Sequence, residues 1–180
     1  MKYILKYFLL FFLLAPSALF AQSNDEELLD WSASRKLSWA DYKANPKPES
    51  DAAASTTTYL GIDYNISSTS FSYRIQSRFS KTRSWGLHKT DYILSHEQGH
   101  FDIAEIFARK LNKKMSEYSF NKRTYQQDLN KIYHDILDEK EKMQNDYDKE
   151  TNHSINKEKQ AEWLKKIKAK LDEYEDFAGY

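Results

Sequence analysis

The hydrophobic pattern changes its period along the chain, and each change marks a boundary. Tyr7 to Ala15 is an unbroken apolar run behind Lys2 and Lys6, closed by Pro16 and a small-residue stretch ending at Ala21. A charged start, a short apolar middle and a cleavable end form the pattern of a secretory signal, read here as residues 1–21. The rival reading is an uncleaved membrane anchor, but the run is short for a span of about 20 apolar residues and Pro16 interrupts it, so cleavage leaving no anchor is the expectation. Residues 22–30 read as a polar lead-in, and residues 31–180 as a single domain. In its first stretch Trp31, Leu37, Trp39 and Tyr42 are expected to dock on the rest, before Pro46 and Pro48 mark a loop.

From Thr56 the period is two. Ile62, Tyr64 and Ile66 alternate with polar residues, as do Phe71, Tyr73, Ile75 and Phe79 beyond the polar stretch Ser67 to Ser70. This predicts a β-hairpin. After Trp85 and Gly86 the period becomes helical. Ile93, Leu94, Ile103, Ile106, Phe107 and Leu111 share one face of a helix expected over residues 90–118. A second helix is expected over 124–145, and a third from Ser154 or Asn156, either of which can cap it. Tyr147 to Ser154 then reads as a polar link between them. The fold class is α+β: a small antiparallel sheet packed with one helix and two further long ones.

Composition narrows the chemistry. The 27 basic and 27 acidic side chains cancel, which argues against a nucleic-acid partner. Loss of the signal removes Lys2 and Lys6 and no acid, leaving the mature chain slightly acidic. Aromatic residues are 15% of the chain, enough for a packed core rather than disorder. Cysteine is absent, so there is no disulfide and no thiolate nucleophile, and any metal site must be built from His, Asp and Glu.

Such a site is visible at His96-Glu97-Gln98-Gly99-His100, an H-E-x-x-H sequence inside the first helical pattern. Residues four apart on a helix are about 40° apart around its axis, so both imidazoles can reach one metal ion. Glu97 stands about 100° from His96, placed to take a proton from water activated beside the ion. Zinc with three protein ligands keeps a place for such a water. The third ligand must come from elsewhere. On an unbroken helix Asp102 and Glu105 lie about 160° and 140° from His100, and no Gly or Pro breaks residues 101–105. His153, in the polar link with acids beside it, leads Glu150, His134 and His88 as candidates.

Leu94-Ser95-HEQGHFDIAE with Ala108-Arg109, the YDKETNHS block from Tyr147 to Ser154, Gln160 and Trp163, and the opening Arg35 to Tyr42 together resemble a family of uncharacterised bacterial secreted proteins described as zinc-dependent proteases. The similarity extends over roughly residues 31–170. The family's second block is similar to Tyr-Asp-x-x-Thr-x-His-Gly, met here at Tyr147, Asp148, Thr151 and His153, with Ser154 in place of the glycine. The resemblance implies a zinc ion held by His96, His100 and His153, with Glu97 as general base and then acid, in a zincin-like fold. It adds little about the substrate; the motif in an exported chain leads to the expectation of a peptide or protein substrate in the cell envelope or outside the cell.

The expectation is therefore a secreted or periplasmic zinc peptidase. Asp148 is a candidate for orienting a ligand imidazole. Tyr147 is a candidate for oxyanion stabilisation or, more simply, for packing the link against the first helix. The strand from Phe71 to Phe79 is a candidate for pairing with an extended peptide. Two other readings stand beside this one: an envelope protein with a purely structural metal, and a metal-free binding module using the aromatic hairpin. The substrate and the oligomeric state are not encoded in these patterns.

Overall fold

The computed structural model describes residues 27–46, 52–67 and 71–180. The expected signal, the start of the lead-in, Pro48 and most of the expected hairpin turn lie outside these residues. Within them the order is β1 (Leu28–Asp30), β2 (Ala54–Ser55), β3 (Thr58–Ile66), β4 (Phe71–Ser80), β5 (Trp85–Gly86), α1 (Asp91–Ser116), α2 (Tyr125–Thr151) and α3 (Lys157–Glu173), with short 3-10 turns at Trp39–Asp41 and Glu175–Phe177. The molecule is α+β, with small antiparallel sheets and three helices.

The alternating segments pair as β3 and β4, in antiparallel register from Thr58 opposite Phe79 to Ile66 opposite Phe71. Strand β1 adds to the other side of β4, so the order is β1-β4-β3. Two expectations change here. Leu28–Asp30 is not lead-in but an edge strand, because Leu29 packs on the cluster of Leu37, Tyr42, Phe79 and Phe101. The Phe71–Phe79 strand is central rather than an edge: β3 pairs along its length on one side, while β1 covers the other side only at Arg78–Ser80, so a peptide could pair only with the stretch before Ser77. A second short ladder, β2 with β5, sets Ala54 opposite Gly86 and carries residues 52–58 toward the helices.

Helix α1 begins where Thr90 accepts a hydrogen bond from the Ile93 amide at 3.2 Å. Its broad apolar stripe of Ile103, Ile106, Phe107 and Leu111 is buried against Leu60 and Ile75 of the sheet, Leu129 and Ile136 of α2, and Trp163 and Ile167 of α3. Burial of each such side chain is worth about 1.5–3 kcal/mol, so α1 is the fixed axis of the fold.

Helix α2 is longer than the apolar pattern predicts. It continues to Thr151 through the segment read as a link, because Tyr147 and Thr151, four residues apart, are fully buried and hold the last turns against α1. It stops at Asn152 in a left-handed conformation, and Asn156, one of the two expected caps, opens α3 by accepting from the Lys159 amide. Tyr147 and Asp148 are therefore helical residues.

Candidate metal centre

Four-residue spacing on α1 turns the His96 and His100 rings toward one point, with their Nε2 atoms 3.3 Å apart. Helix α2 brings Asp148 to the same point. Its Oδ1 lies 3.1 Å from His96 Nε2 and 3.0 Å from His100 Nε2. These three residues are the cluster able to hold a metal ion among the described residues. Zinc bonds of about 2.0–2.1 Å at tetrahedral angles require ligand atoms about 3.3 Å apart, so the triangle fits such an ion with little adjustment.

The donor set is also prepared chemically. Gln144 donates from Nε2 to the His100 carbonyl at 2.9 Å, which leaves its Oε1 to accept from His100 Nδ1. When the ring is neutral, that contact keeps the His100 proton on Nδ1 and frees Nε2 for a metal. The His96 Nδ1 is buried and has no partner among the described residues. Burial opposes a charge on Asp148, yet hydrogen bonds from His100 and His96 hold its carboxyl well below the usual carboxylate range. His100 shifts the other way. Burial would lower it, but the hydrogen bond to Asp148 and the charges of Asp148 and Glu97 raise it.

Tyr147 is the platform of the site. Its ring stacks on His96 at 4.4 Å between centroids and meets His100 edge-on at 5.1 Å. Its hydroxyl donates to the His96 carbonyl at 3.2 Å, so it is committed to packing α2 onto α1 rather than to an oxyanion. Gly99 makes this approach possible: a Cβ there would stand 2.6 Å from the Tyr147 hydroxyl oxygen.

Glu97 is buried, lines the same cleft and makes no hydrogen bond or ion pair among the described residues. The cleft, of about 690 Å³, is closed on one side by residues 52–58 and on the other by α2. That extended segment, rather than β4, is what borders the chemistry.

The other sequence candidates fall into place around this. His153 follows the end of α2 in a run of three left-handed residues, Asn152 (φ 48°), His153 (φ 50°) and Ser154 (φ 73°). Its side chain is 68% exposed, and its Nδ1 stands 3.7 Å from Asp148 Oδ1, at the rim of the triangle rather than in it. Asp148 takes the third corner instead of orienting a ring from behind. The Ser154 carbonyl accepts from the Tyr92 hydroxyl at 2.7 Å, which pins this strained corner to the start of α1. Glu150 is bonded to Trp163 Nε1 at 2.8 Å. His88 and His134 are exposed and outside the cleft lining. Asp102 accepts from Trp31 and Gln98, and Glu105 from Arg109, away from the site.

Asp148 and Gln144 were missed as a pair. They are four apart, the spacing of His96 and His100, and extending the second helical pattern by one and a half turns puts them on one face.

A family of bacterial proteins of unknown function, DUF922, matches residues 21–154. The chain belongs to that family. No curated protein and no solved structure matches the chain. The family match covers all of α1, all of α2 and the corner through Ser154, and so contains every residue of the triangle. Its description carries no activity and no metal.

Proposed function

We propose that this protein is a zinc-dependent hydrolase, a peptidase of zincin-like design, which acts outside the cytoplasm after loss of residues 1–21. The observation that carries this reading is one cleft lined by His96, His100 and Asp148, whose ligand atoms lie within 4.8 Å of one another, and by a buried Glu97 with no hydrogen-bond or ion-pair partner among the described residues. His96 Nε2, His100 Nε2 and Asp148 Oδ1 would hold the ion. Zinc bound there supplies Lewis acidity, making water nucleophilic near neutral pH and polarising a carbonyl.

The chain's own groups do the rest. A Glu97 carboxylate oxygen takes the proton of the attacking water and returns it to the departing amine, a role that needs a carboxylate with no structural bond to break. Gln144 keeps the His100 proton on Nδ1. Tyr147 fixes the tilt of both imidazoles by stacking on one and edging the other.

One observation favours a structural metal as the second reading. His153 stands at the rim, 3.7 Å from Asp148, and a swing of its exposed ring toward the triangle would add a fourth protein ligand and close the site. Zinc content and peptide hydrolysis measured together in wild type and Glu97→Gln separate the two. The hydrolase reading expects near-stoichiometric zinc in both proteins and hydrolysis only in wild type. Zinc without hydrolysis in wild type favours the structural site, and no zinc in either favours a metal-free module.

A further inference from the structure

Helix α2 carries lysines of two kinds. Lys131 and Lys142 each reach an aspartate four residues on, Asp135 at 2.7 Å and Asp146 at 2.6 Å. Lys140 has no such partner. The residues three and four away from it are Ile136, Leu137, Met143 and Gln144, and Gln144 is committed to His100. Among the described residues Lys140 makes no hydrogen bond or salt bridge. Its side chain nevertheless lines the cleft that holds His96, Glu97 and Asp148. Burial there pushes its pKa down, opposed by the charge of Glu141 beside it in sequence. Among the described residues its one countercharge is Glu141, which lines the same cleft without an ion pair to it, and a partly desolvated cation held this way is relieved further by an anion entering the cleft.

Position defines the anion. Lys140, Gln144 and Asp148 follow one another at four-residue steps, which sets Lys140 about two turns, roughly 12 Å along the axis, from Asp148. An extended peptide covers that distance in about three or four residues, and the lysine stem shortens it by about one more. We propose that Lys140 is a specificity residue which receives a carboxylate of the substrate about two to four residues from the bond cleaved. The substrate class is then extended peptides with an acidic residue at that distance. This rests on the hydrolase reading.

The test uses the zinc-loaded protein and a proteome-derived peptide library, with cleavage sites read by mass spectrometry. In a second arm, Glu97→Gln protein selects binders from the same library without cutting them. Asp and Glu should be enriched at one position near the cleaved bond. A matched peptide pair differing only as Glu or Gln there should differ at least about tenfold in kcat/KM. Lys140→Gln should bring that ratio to about one, Lys140→Arg should retain most of it, and Lys140→Glu should move the enrichment to Lys and Arg. Cleavage without acidic enrichment, or a ratio unchanged in Lys140→Gln, overturns the proposal. If wild type cleaves nothing, the hydrolase reading falls, and the binding arm still decides. Acidic binders lost on adding Lys140→Gln support a Lys140 carboxylate site, and no acidic enrichment among binders removes it.

Discussion

Gly99→Ala tests whether the site depends on close contact between two helices. In an isolated helix this change is stabilising by about 1 kcal/mol, because glycine is the poorer helix former. Here the new Cβ would meet the Tyr147 hydroxyl oxygen at 2.6 Å and two of its ring carbons at 2.9 Å. The ring has no room to retreat, being fully buried between His96 and Trp163. Overpacking of this kind costs about 1–3 kcal/mol, and loss of the Tyr147 hydrogen bond to the His96 carbonyl adds about 1 kcal/mol. The expected net effect is a loss of about 1–3 kcal/mol in urea unfolding of the metal-free protein. Zinc affinity should fall as well, because the ring that shifts is the one stacked on His96. Tyr147→Phe removes the nearest clashing atom, so in the Gly99→Ala background it should cost less than it does alone. A Gly99→Ala protein stabilised by about 1 kcal/mol would show that the helices have slack, and would refute the argument.

Other consequences follow from the same geometry. Asp148→Ala should weaken zinc binding by more than about 100-fold and His153→Ala by about tenfold or less, measured by chelator competition; the reverse order would make His153 the third ligand. Ser154→Gly should raise unfolding stability by about 0.5–1 kcal/mol, since Ser154 holds a φ of 73° that glycine adopts freely; a loss of stability would mean that this corner is not strained. Without metal, the raised His100 pKa contributes stability that is full below the unfolded histidine value and lost as pH rises through the folded one. The lowered Asp148 value contributes stability that is present above the unfolded carboxyl pKa and lost only as pH falls through the folded one. Denaturation in chelator should therefore show stability declining above about pH 6.5, whereas with zinc it should rise over the same range as the imidazoles give up protons. Parallel profiles with and without zinc would remove the ion from this cluster.

The elements were legible where a single periodicity governed burial. Alternation gave β3 and β4 because one face of the hairpin lies on α1, and the helical stripe gave α1 because that stripe is the core. What escaped was structure held by partners distant in sequence. Leu28–Asp30 is too short to show a period and is a strand only because β4 has a free edge. The β2–β5 ladder is two residues long and is fixed by the packing of Trp39 over Gly86.

The site shows the same division more sharply. His96, Glu97 and His100 can be read directly because one helix supplies all three, and helical spacing alone sets their geometry. The third corner depends on where α2 ends. Residues 146–151 carry Asp, Tyr, Lys, Glu and Thr, with no apolar stripe to announce a helix, so a propensity argument stops at about Asn145 and leaves Asp148 in a loop. In that reading the histidine is the better ligand of the two. The helix continues because Tyr147 fills the space that Gly99 leaves on α1, and Thr151 donates to the Tyr147 carbonyl at 2.7 Å to secure the final turn. That contact carries Asp148 onto the face of α2 that meets the two imidazoles, and moves His153 past the helix end to the rim. The glycine of the H-E-x-G-H sequence is thus tied to the third corner of the cluster: it admits the tyrosine, the tyrosine extends the helix, and the helix delivers the aspartate.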